Sequence, residues 1–253
     1  MASALPVWFL ATAGGILGAI WGSFVVALCA RWPKGESIMR GRSRCDHCRE
    51  TLSARDLVPI ASFLALSGRC RLCGQQIAND TIGIELISAA VGALPFLVLS
   101  APQALALAAF GWLLLPLAIL DFKHLWLPDR LTVLLAIAGV LIAPLLNAAI
   151  SMTDRFVGGV TGFVFLETVR RGYRIIRNRD GMGAGDPKLF GAIGLWLGWQ
   201  MLPVTLLVAS SIGVLVATAI RGKATTSLPF GTCLAVAALA VASVSGIVGA
   251  GVN

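Results

Sequence analysis

Long apolar stretches, separated by short polar segments, recur along almost the whole chain. Many approach or exceed the ~18 residues that a helix needs to cross a bilayer. We predict eight membrane-spanning helices, near residues 7–30, 82–99, 103–121, 131–150, 155–173, 186–199, 201–220 and 229–250. The fifth and sixth are short and rich in glycine. The first lacks a basic segment before it, so we expect it to be retained rather than cleaved.

Composition places the chain among membrane proteins. It is 57% hydrophobic and only 13% charged, whereas soluble domains carry about 25% charged residues. We therefore predict an all-α polytopic membrane protein with one modest extramembrane segment and no large soluble domain. The expected parts are a first transmembrane helix at 1–30, a cytoplasmic loop at 31–81 that contains four cysteines, and the remaining helices at 82–253.

Charge placement gives the predicted helices an orientation. If 31–81 is cytoplasmic, alternation puts 121–130, 170–188 and 221–223 on the same side. Of the 20 Lys and Arg residues, 19 then face the cytoplasm, and only Arg155 does not. This positive-inside pattern predicts that both termini are periplasmic. It also accounts for the net charge of +8 without a nucleic-acid partner, and basic loops favour the anionic lipid of the inner leaflet.

Four of the six cysteines form two C-x-x-C pairs, Cys45 with Cys48 and Cys70 with Cys73. Two such pairs can bring four thiolates to one tetrahedral metal ion, and a site closed by four protein ligands is structural rather than catalytic. Two disulfides are the alternative, but a reducing cytoplasm disfavours them. We predict a structural zinc site, with His47 on the surface. The other two cysteines lie in apolar spans and are expected to be small core residues.

Two carboxylates lie at predicted membrane boundaries, where an ionisable side chain is costly. Asp121 ends the third span, where the helix dipole disfavours an anion. Asp186 opens the sixth span after three alternating glycines, and capping of that helix is an equally good explanation for it. Two carboxylates that share a site cannot both ionise easily. Such a pair can activate water and stabilise the charge that develops on a peptide carbonyl, so the two predict an aspartyl-protease dyad.

Three other acidic residues have simpler explanations. Asp129 is expected to cap the fourth predicted helix. Glu167 is expected to form ion pairs with Arg170 and Arg171, which lie three and four residues further along the same helix. Glu85, near the start of the second span, either binds the amine of a substrate or pairs with an arginine of the loop.

Together these features resemble the type IV prepilin peptidases, a family of bifunctional leader peptidases and N-methyltransferases. The resemblance covers nearly the whole chain. Its motifs are Gly22-Ser23-Phe24, Arg31-Trp32-Pro33, residues 41–45, Asp56-Leu57-Val58-Pro59, the second cysteine pair, Glu85-Leu86, residues 121–132, the GxGD sequence at 183–186 with Lys188, and Leu228-Pro229-Phe230-Gly231. Two positions depart from the family's common pattern. Val26 stands where asparagine is common, and Pro187 stands where an aliphatic residue is common.

The resemblance implies an activity and a location. Asp121 and Asp186 match the family's catalytic aspartates, within a peptidase core at 82–253. The enzyme would cut the basic leader from type IV prepilins or type II secretion pseudopilins, at the cytoplasmic face of a bacterial inner membrane. It would then methylate the new N-terminal residue with S-adenosylmethionine. The zinc loop is associated with this methylating half, and Glu85 is a candidate residue for it.

Two other functions fit parts of the sequence. A small transporter or channel with a zinc-stabilised cytoplasmic loop could use the intramembrane acids as a proton relay. The second alternative is a membrane methyltransferase that has lost its proteolytic activity. A relay would place its acids near the middle of the membrane, whereas Asp121 and Asp186 both lie at its cytoplasmic face beside a glycine-rich loop. This placement favours the protease.

Overall fold

The computed structural model describes residues 5–37, 44–45, 47–77, 80–179, 181–219 and 228–250, with the side chains of 54 and 248–250 left out. Residues 41–43 of one motif and the predicted basic segment 221–223 lie outside these ranges. The regular structure of the described residues is helical, which confirms the all-α prediction. The chain divides into two compact units, Met1–Leu97 and Val98–Asn253. The predicted functional division at 1–30, 31–81 and 82–253 stays a prediction.

The first unit consists of two long helices and the cysteine segment between them. Its elements are α1 (Val7–Arg31) with a 3-10 turn at Trp32–Lys34, a 3-10 helix at Ala54–Leu57, α2 (Ala61–Ala65), and α3 (Asp80–Ala93) with a 3-10 turn at Leu94–Leu97. Gly14, Gly18 and Gly22 form a stripe on α1, and a Cβ atom on any of them would collide with the backbone of α3. Small residues at this spacing let two helices approach closely in a membrane. The start of α3 is therefore held against the end of α1.

The second unit is a bundle built around a short, buried helix. Its elements are α4 (Ala101–His124), α5 (Asp129–Leu141), α6 (Ala143–Leu146), α7 (Met152–Arg177), α8 (Asp186–Leu197), a 3-10 turn at Trp199–Met201, α9 (Leu202–Ala219) and α10 (Phe230–Ala250). Nearly all residues of α8 are buried, and it packs against α5, α7 and α10. α10 also packs against α4 and α9. The end of α4 and the starts of α8 and α10 belong to this one bundle.

Among the described residues, five helices are long and apolar enough to cross a membrane: Val7–Lys34, Asp80–Leu97, Ala101–His124, Trp199–Ala219 and Phe230–Ile247. They match the first, second, third, seventh and eighth predicted spans. The other three predicted spans differ in form. The fourth, 131–150, is broken into α5 and α6 by a proline at the start of α6. The fifth, 155–173, lies within α7, which carries many charges. The sixth, 186–199, corresponds to α8, which has only 12 residues. The total of eight spans therefore stays a prediction.

Arg155, the one basic residue predicted on the far side, is buried within α7, with 1% of its surface exposed. Its guanidinium donates hydrogen bonds to the carbonyl oxygens of Trp196 and Asn147, each at 2.6 Å, and of Ala143 at 3.1 Å. Trp196 and Asn147 lie at the C-terminal ends of α8 and α6, where helix carbonyls lack intrahelical partners and the dipole favours a cation. Arg155 therefore acts as a shared cap for two helices.

Replacing Arg155 by methionine is expected to lower the free energy of unfolding by about 3 kcal/mol, because buried carbonyls would lose their donors. Thermal unfolding of the purified protein in detergent would measure the loss. Arg171→Met is the matched control, since the Arg171 side chain is 71% exposed and pairs with Glu167, so its effect should stay within about 0.5 kcal/mol. Equal losses in the two variants would contradict the capping role.

Candidate functional site

The structure brings the two predicted aspartates together. Asp121 lies in the last turn of α4, and Asp186 is the first residue of α8. Their exposed fractions are only 5% and 4%. The two carboxylates are close enough to interact electrostatically. The end of one helix and the start of another thus place two acids in one buried site.

Two glycines allow the surrounding segments to close around this site. A Cβ atom on Gly231, in the first turn of α10, would lie 2.8 Å from the Leu127 side chain and 3.0 Å from the Asp121 carboxylate. A Cβ atom on Gly185 would lie 2.6 Å from Leu127. Any larger residue at either position would push these segments apart. The α4–α5 connection, the GxGD loop and the start of α10 therefore converge at the aspartates.

Asp121 is held by a residue that the sequence does not single out, Thr232. One carboxylate oxygen of Asp121, Oδ2, accepts hydrogen bonds from the Thr232 backbone N–H at 2.7 Å and from its hydroxyl at 3.1 Å. The same hydroxyl lies 2.9 Å from the Ala118 carbonyl oxygen. Thr232 is in the first turn of α10, where backbone N–H groups are unpaired and favour an anion. The one available signal is the motif 228–231, which ends directly before this residue.

Asp186 does not cap its own helix. The N-cap of α8 is Gly185, and no side chain caps it. The Asp186 carboxylate instead turns back into the glycine-rich loop and accepts a hydrogen bond from the Gly183 N–H at 3.1 Å. The capping explanation is therefore wrong, and the carboxylate remains in the shared site with Asp121.

Asp129 behaves differently from the two buried aspartates. It is the first residue of α5 and follows its N-cap, Pro128, so the predicted cap is wrong by one position. Its carboxylate pairs with the Lys188 ammonium at 2.7 Å, and the side chains are 66% and 45% exposed. This pair joins the start of α5 to the start of α8 at the surface.

Thr232→Val is expected to reduce any activity that depends on Asp121 by about threefold to tenfold, the value of one hydrogen bond. The backbone N–H would remain in place. Thr232→Ser restores the hydroxyl and should recover most of the activity, which a loss of packing alone would not explain. Initial rates of the three proteins on one substrate would measure the effect. Equal rates in all three would show that the hydroxyl is not needed.

The four predicted zinc ligands also come together. The sulfur atoms of Cys45, Cys48, Cys70 and Cys73 all lie within 4.8 Å of one another. The Cys45 and Cys73 sulfurs are 3.8 Å apart, close to the roughly 3.8 Å edge of a tetrahedron with zinc–sulfur bonds of about 2.3 Å. All four cysteines are free, so the disulfide alternative is not supported. This cluster can hold a metal ion.

Each cysteine pair forms the same kind of turn. The backbone N–H groups of Arg49 and Gly74 donate to the carbonyls of Cys45 and Cys70, each at 2.9 Å. Both donors have positive φ, 58° for Arg49 and 69° for Gly74. Hydrogen bonds from the backbone N–H groups of Cys73 and Leu72 lower the pKa of the Cys70 thiol to about 7. Each turn thus folds locally, and the second turn favours a thiolate at Cys70, whereas the neighbouring thiols raise the pKa of Cys48.

The other residues named from the sequence are placed as follows. His47 is exposed, and Cys29 and Cys233 are buried, as predicted. Glu167 pairs with Arg170 and Arg171 at 2.8 Å and 2.6 Å, as predicted. The Glu85 carboxylate is 5% exposed and accepts a hydrogen bond from the Ile60 backbone N–H at 2.7 Å.

Comparison with known proteins gives the family. Residues 107–218 match the family model described as "Type IV leader peptidase family". Residues 16–99 match that of the "Bacterial Peptidase A24 N-terminal domain". A "Type 4 prepilin-like proteins leader peptide-processing enzyme" of Escherichia coli is 34% identical, over 94% of this chain and 93% of that protein. The chain belongs to the type IV leader peptidase family.

Other members of this family are similar over much of their length. A "Prepilin leader peptidase/N-methyltransferase" of Dichelobacter nodosus is 34% identical, over 83% of this chain and 74% of its own. One of Aeromonas hydrophila is 34% identical, over 79% and 71%. No solved structure matches the chain. The family and the five apolar helices together indicate a multi-pass protein of the inner membrane, and the transporter alternative is not supported.

Proposed function

We propose that this protein is a prepilin leader peptidase that also methylates the N-terminus it creates. The names of its relatives support both activities. The single observation that carries the peptidase half is the meeting of Asp121 and Asp186 in one buried site. We assign these two residues as the catalytic dyad.

Peptide hydrolysis in this site needs one charged and one protonated carboxyl group. The charged member takes a proton from a water molecule, whose oxygen attacks the carbonyl carbon of the scissile peptide. The protonated member donates a hydrogen bond to the carbonyl oxygen, where negative charge develops. When the carbon–nitrogen bond breaks, the leaving amine takes up a proton from the dyad. Because the two acids interact, they titrate as a pair.

The position of the dyad suits a substrate that is itself anchored in a membrane. Asp121 ends an apolar helix that is long enough to span the bilayer, so the site lies near a membrane boundary. The resemblance implies a short basic leader on the prepilin, and basic residues favour the aqueous side of such a boundary. We propose that this boundary is the cytoplasmic one and that both termini are periplasmic, as the positive-inside pattern predicts.

The methylating half is assigned to the first unit. We propose that Cys45, Cys48, Cys70 and Cys73 hold one structural zinc ion, since their four sulfur atoms lie within 4.8 Å of one another and zinc favours four such ligands. The methyl donor is proposed to be S-adenosylmethionine, which supplies an electrophilic methyl group. Bound to this unit, the donor would supply that methyl group to the free amine of the cleaved pilin.

Co-expression with a candidate prepilin or pseudopilin tests this function. We expect a mobility shift that requires the enzyme, and a mature pilin whose mass and N-terminal sequence show leader loss and one added methyl group. If the pilin were cleaved but never methylated, the result would contradict the proposed methyltransferase activity and leave the peptidase activity standing. An intact prepilin, with the enzyme inserted in the membrane and a range of prepilins offered, would contradict the first.

A further inference from the structure

The first unit contains a partly open cavity of about 850 Å³. The end of α1, the start of α3 and the cysteine segment form its walls. Its volume is within the range of cavities that bind cofactor-sized molecules. Every described residue that lines it belongs to the first unit.

The lining of this cavity combines both signs of charge with apolar surface. Arg31 and Lys34 are basic, Glu36 and Glu85 are acidic, and Phe63 contributes an aromatic ring. S-adenosylmethionine has the matching groups, since its amino-acid part carries a carboxylate and an ammonium, its sulfur is a cation, and its adenine is flat and apolar on both faces. A nucleotide with several phosphates would instead require a predominantly basic wall.

The metal cluster forms part of the same wall. Cys45 and Cys70 line the cavity, and a zinc ion bound by four thiolates carries a net negative charge, which favours a cationic ligand nearby. The Arg71 side chain donates a 2.8 Å hydrogen bond to the Asp56 carboxylate, and this contact joins the second cysteine turn to the 3-10 helix at Ala54–Leu57. The shape of the cavity therefore depends on the order of the cysteine segment.

Glu85 is the acid of this lining that lies furthest into a membrane-spanning helix. It is five residues after the first residue of α3, or about 7.5 Å along the axis. Its carboxylate is almost fully buried and is fixed by the Ile60 N–H at 2.7 Å. Ile60 itself has a φ of 61°, a costly conformation for a β-branched residue that persists only where the surroundings enforce it. The structure thus holds one carboxylate at a defined depth beside a cavity.

We propose that this cavity binds S-adenosylmethionine and that Glu85 faces its sulfonium. A sulfonium has no N–H or O–H group to donate, so it loses less hydration than an ammonium when it enters an apolar region. Among the cationic groups of the donor, it therefore suits the deepest carboxylate. This orientation also puts the transferred methyl group at the end of the cavity nearest the membrane, since Glu85 belongs to the apolar helix Asp80–Leu97. The inference rests on the proposed methyltransferase function.

Direct binding to the purified, zinc-loaded protein tests this proposal. S-adenosylmethionine and S-adenosylhomocysteine differ by one methyl group and by the charge on sulfur, so their affinities report on the sulfonium contact. Glu85→Gln should weaken binding of S-adenosylmethionine by about tenfold or more and change the affinity for S-adenosylhomocysteine by less than about twofold. Glu50→Gln, an exposed acid of the cysteine segment that does not line the cavity, should leave both affinities unchanged.

Other outcomes would overturn the inference in distinct ways. Equal weakening of both ligands by Glu85→Gln would show that Glu85 does not face the sulfonium. Unchanged binding would exclude Glu85 from the site while the methyltransferase function stood. A wild-type protein that binds neither ligand and methylates no cleaved pilin would contradict the proposed function itself. Zinc content and leader cleavage, measured on the same preparations, show whether each variant is folded.

Discussion

Replacing either Asp121 or Asp186 by asparagine is expected to abolish leader removal. Asparagine has nearly the same shape as aspartate but can neither take up nor deliver the proton that hydrolysis requires. A positioned acid or base contributes about 10²–10⁴ to a rate, so each variant should lose at least about 100-fold. The measurement is cleavage of a co-expressed prepilin, read by mobility shift and confirmed by N-terminal sequencing.

Asp129→Asn is the matched control for this experiment. Asp129 is also near the start of α8 through its pair with Lys188, but it is exposed and lies outside the buried site. An exposed ion pair contributes about 0–1 kcal/mol, so cleavage should change only a few-fold. If Asp121→Asn or Asp186→Asn retained cleavage, that residue would be removed from the dyad. A loss in Asp129→Asn as large as in the other two would contradict their special role.

Methylation should survive both dyad substitutions. The proposed donor cavity is formed by residues of the first unit, whereas Asp121 and Asp186 belong to the second. A pilin that has already been cleaved and is then supplied to the Asp121→Asn enzyme should gain one methyl group, which mass spectrometry would detect. Loss of methylation in both variants would show that the two activities share a site.

The sequence was enough to find the aspartates, since a carboxylate at the end of an apolar helix is costly wherever the helix packs. It could not find Thr232, because the contact with Asp121 joins residues that are 111 positions apart. The sequence also left two explanations for Asp186, a helix cap and a buried acid. Only the tertiary contact with the Gly183 N–H and the position of the N-cap distinguish the two.

Apolar length predicted the long helices and was less informative about the short ones. Hydropathy alone cannot show that 131–150 is broken into two helices, or that α8 has only 12 residues inside a bundle. Charge counting treated Arg155 as the exception to the orientation rule. The structure gives a physical reason for a basic residue at this position, because the Arg155 guanidinium is buried against the carbonyl ends of two helices.

The cysteine segment was predictable because its chemistry is local. Each C-x-x-C pair folds as a turn closed by backbone hydrogen bonds within a few residues, so spacing alone indicates a metal site. Glu85 was not predictable in the same way. Its two alternatives, an amine ligand and an arginine pair, could be weighed only once the Ile60 contact and the cavity were known.

Removal of one cysteine ligand is expected to release the metal and the methylating activity together. Structural zinc sites contribute about 10–16 kcal/mol, which is comparable with the whole stability of a typical domain. The zinc content of the Cys45→Ser and Cys70→Ser proteins should therefore fall from about one ion per chain to none. The cysteine segment of each variant should also become sensitive to protease. Since both residues also line the donor cavity, binding of S-adenosylmethionine and methylation of cleaved pilin should be lost with the metal.

Leader cleavage should persist in these variants, because the aspartates, Leu127 and Thr232 all belong to the second unit. Cys29→Ala, which removes a buried thiol outside the cluster, is the control and should keep its zinc. Metal analysis, limited proteolysis and the mass of the pilin product measure the three effects on one preparation. Zinc retained in both serine variants would contradict the four-cysteine site. If leader cleavage were lost in proportion to zinc, the metal would also support the peptidase. The decisive result is therefore loss of zinc and methylation while leader cleavage is retained.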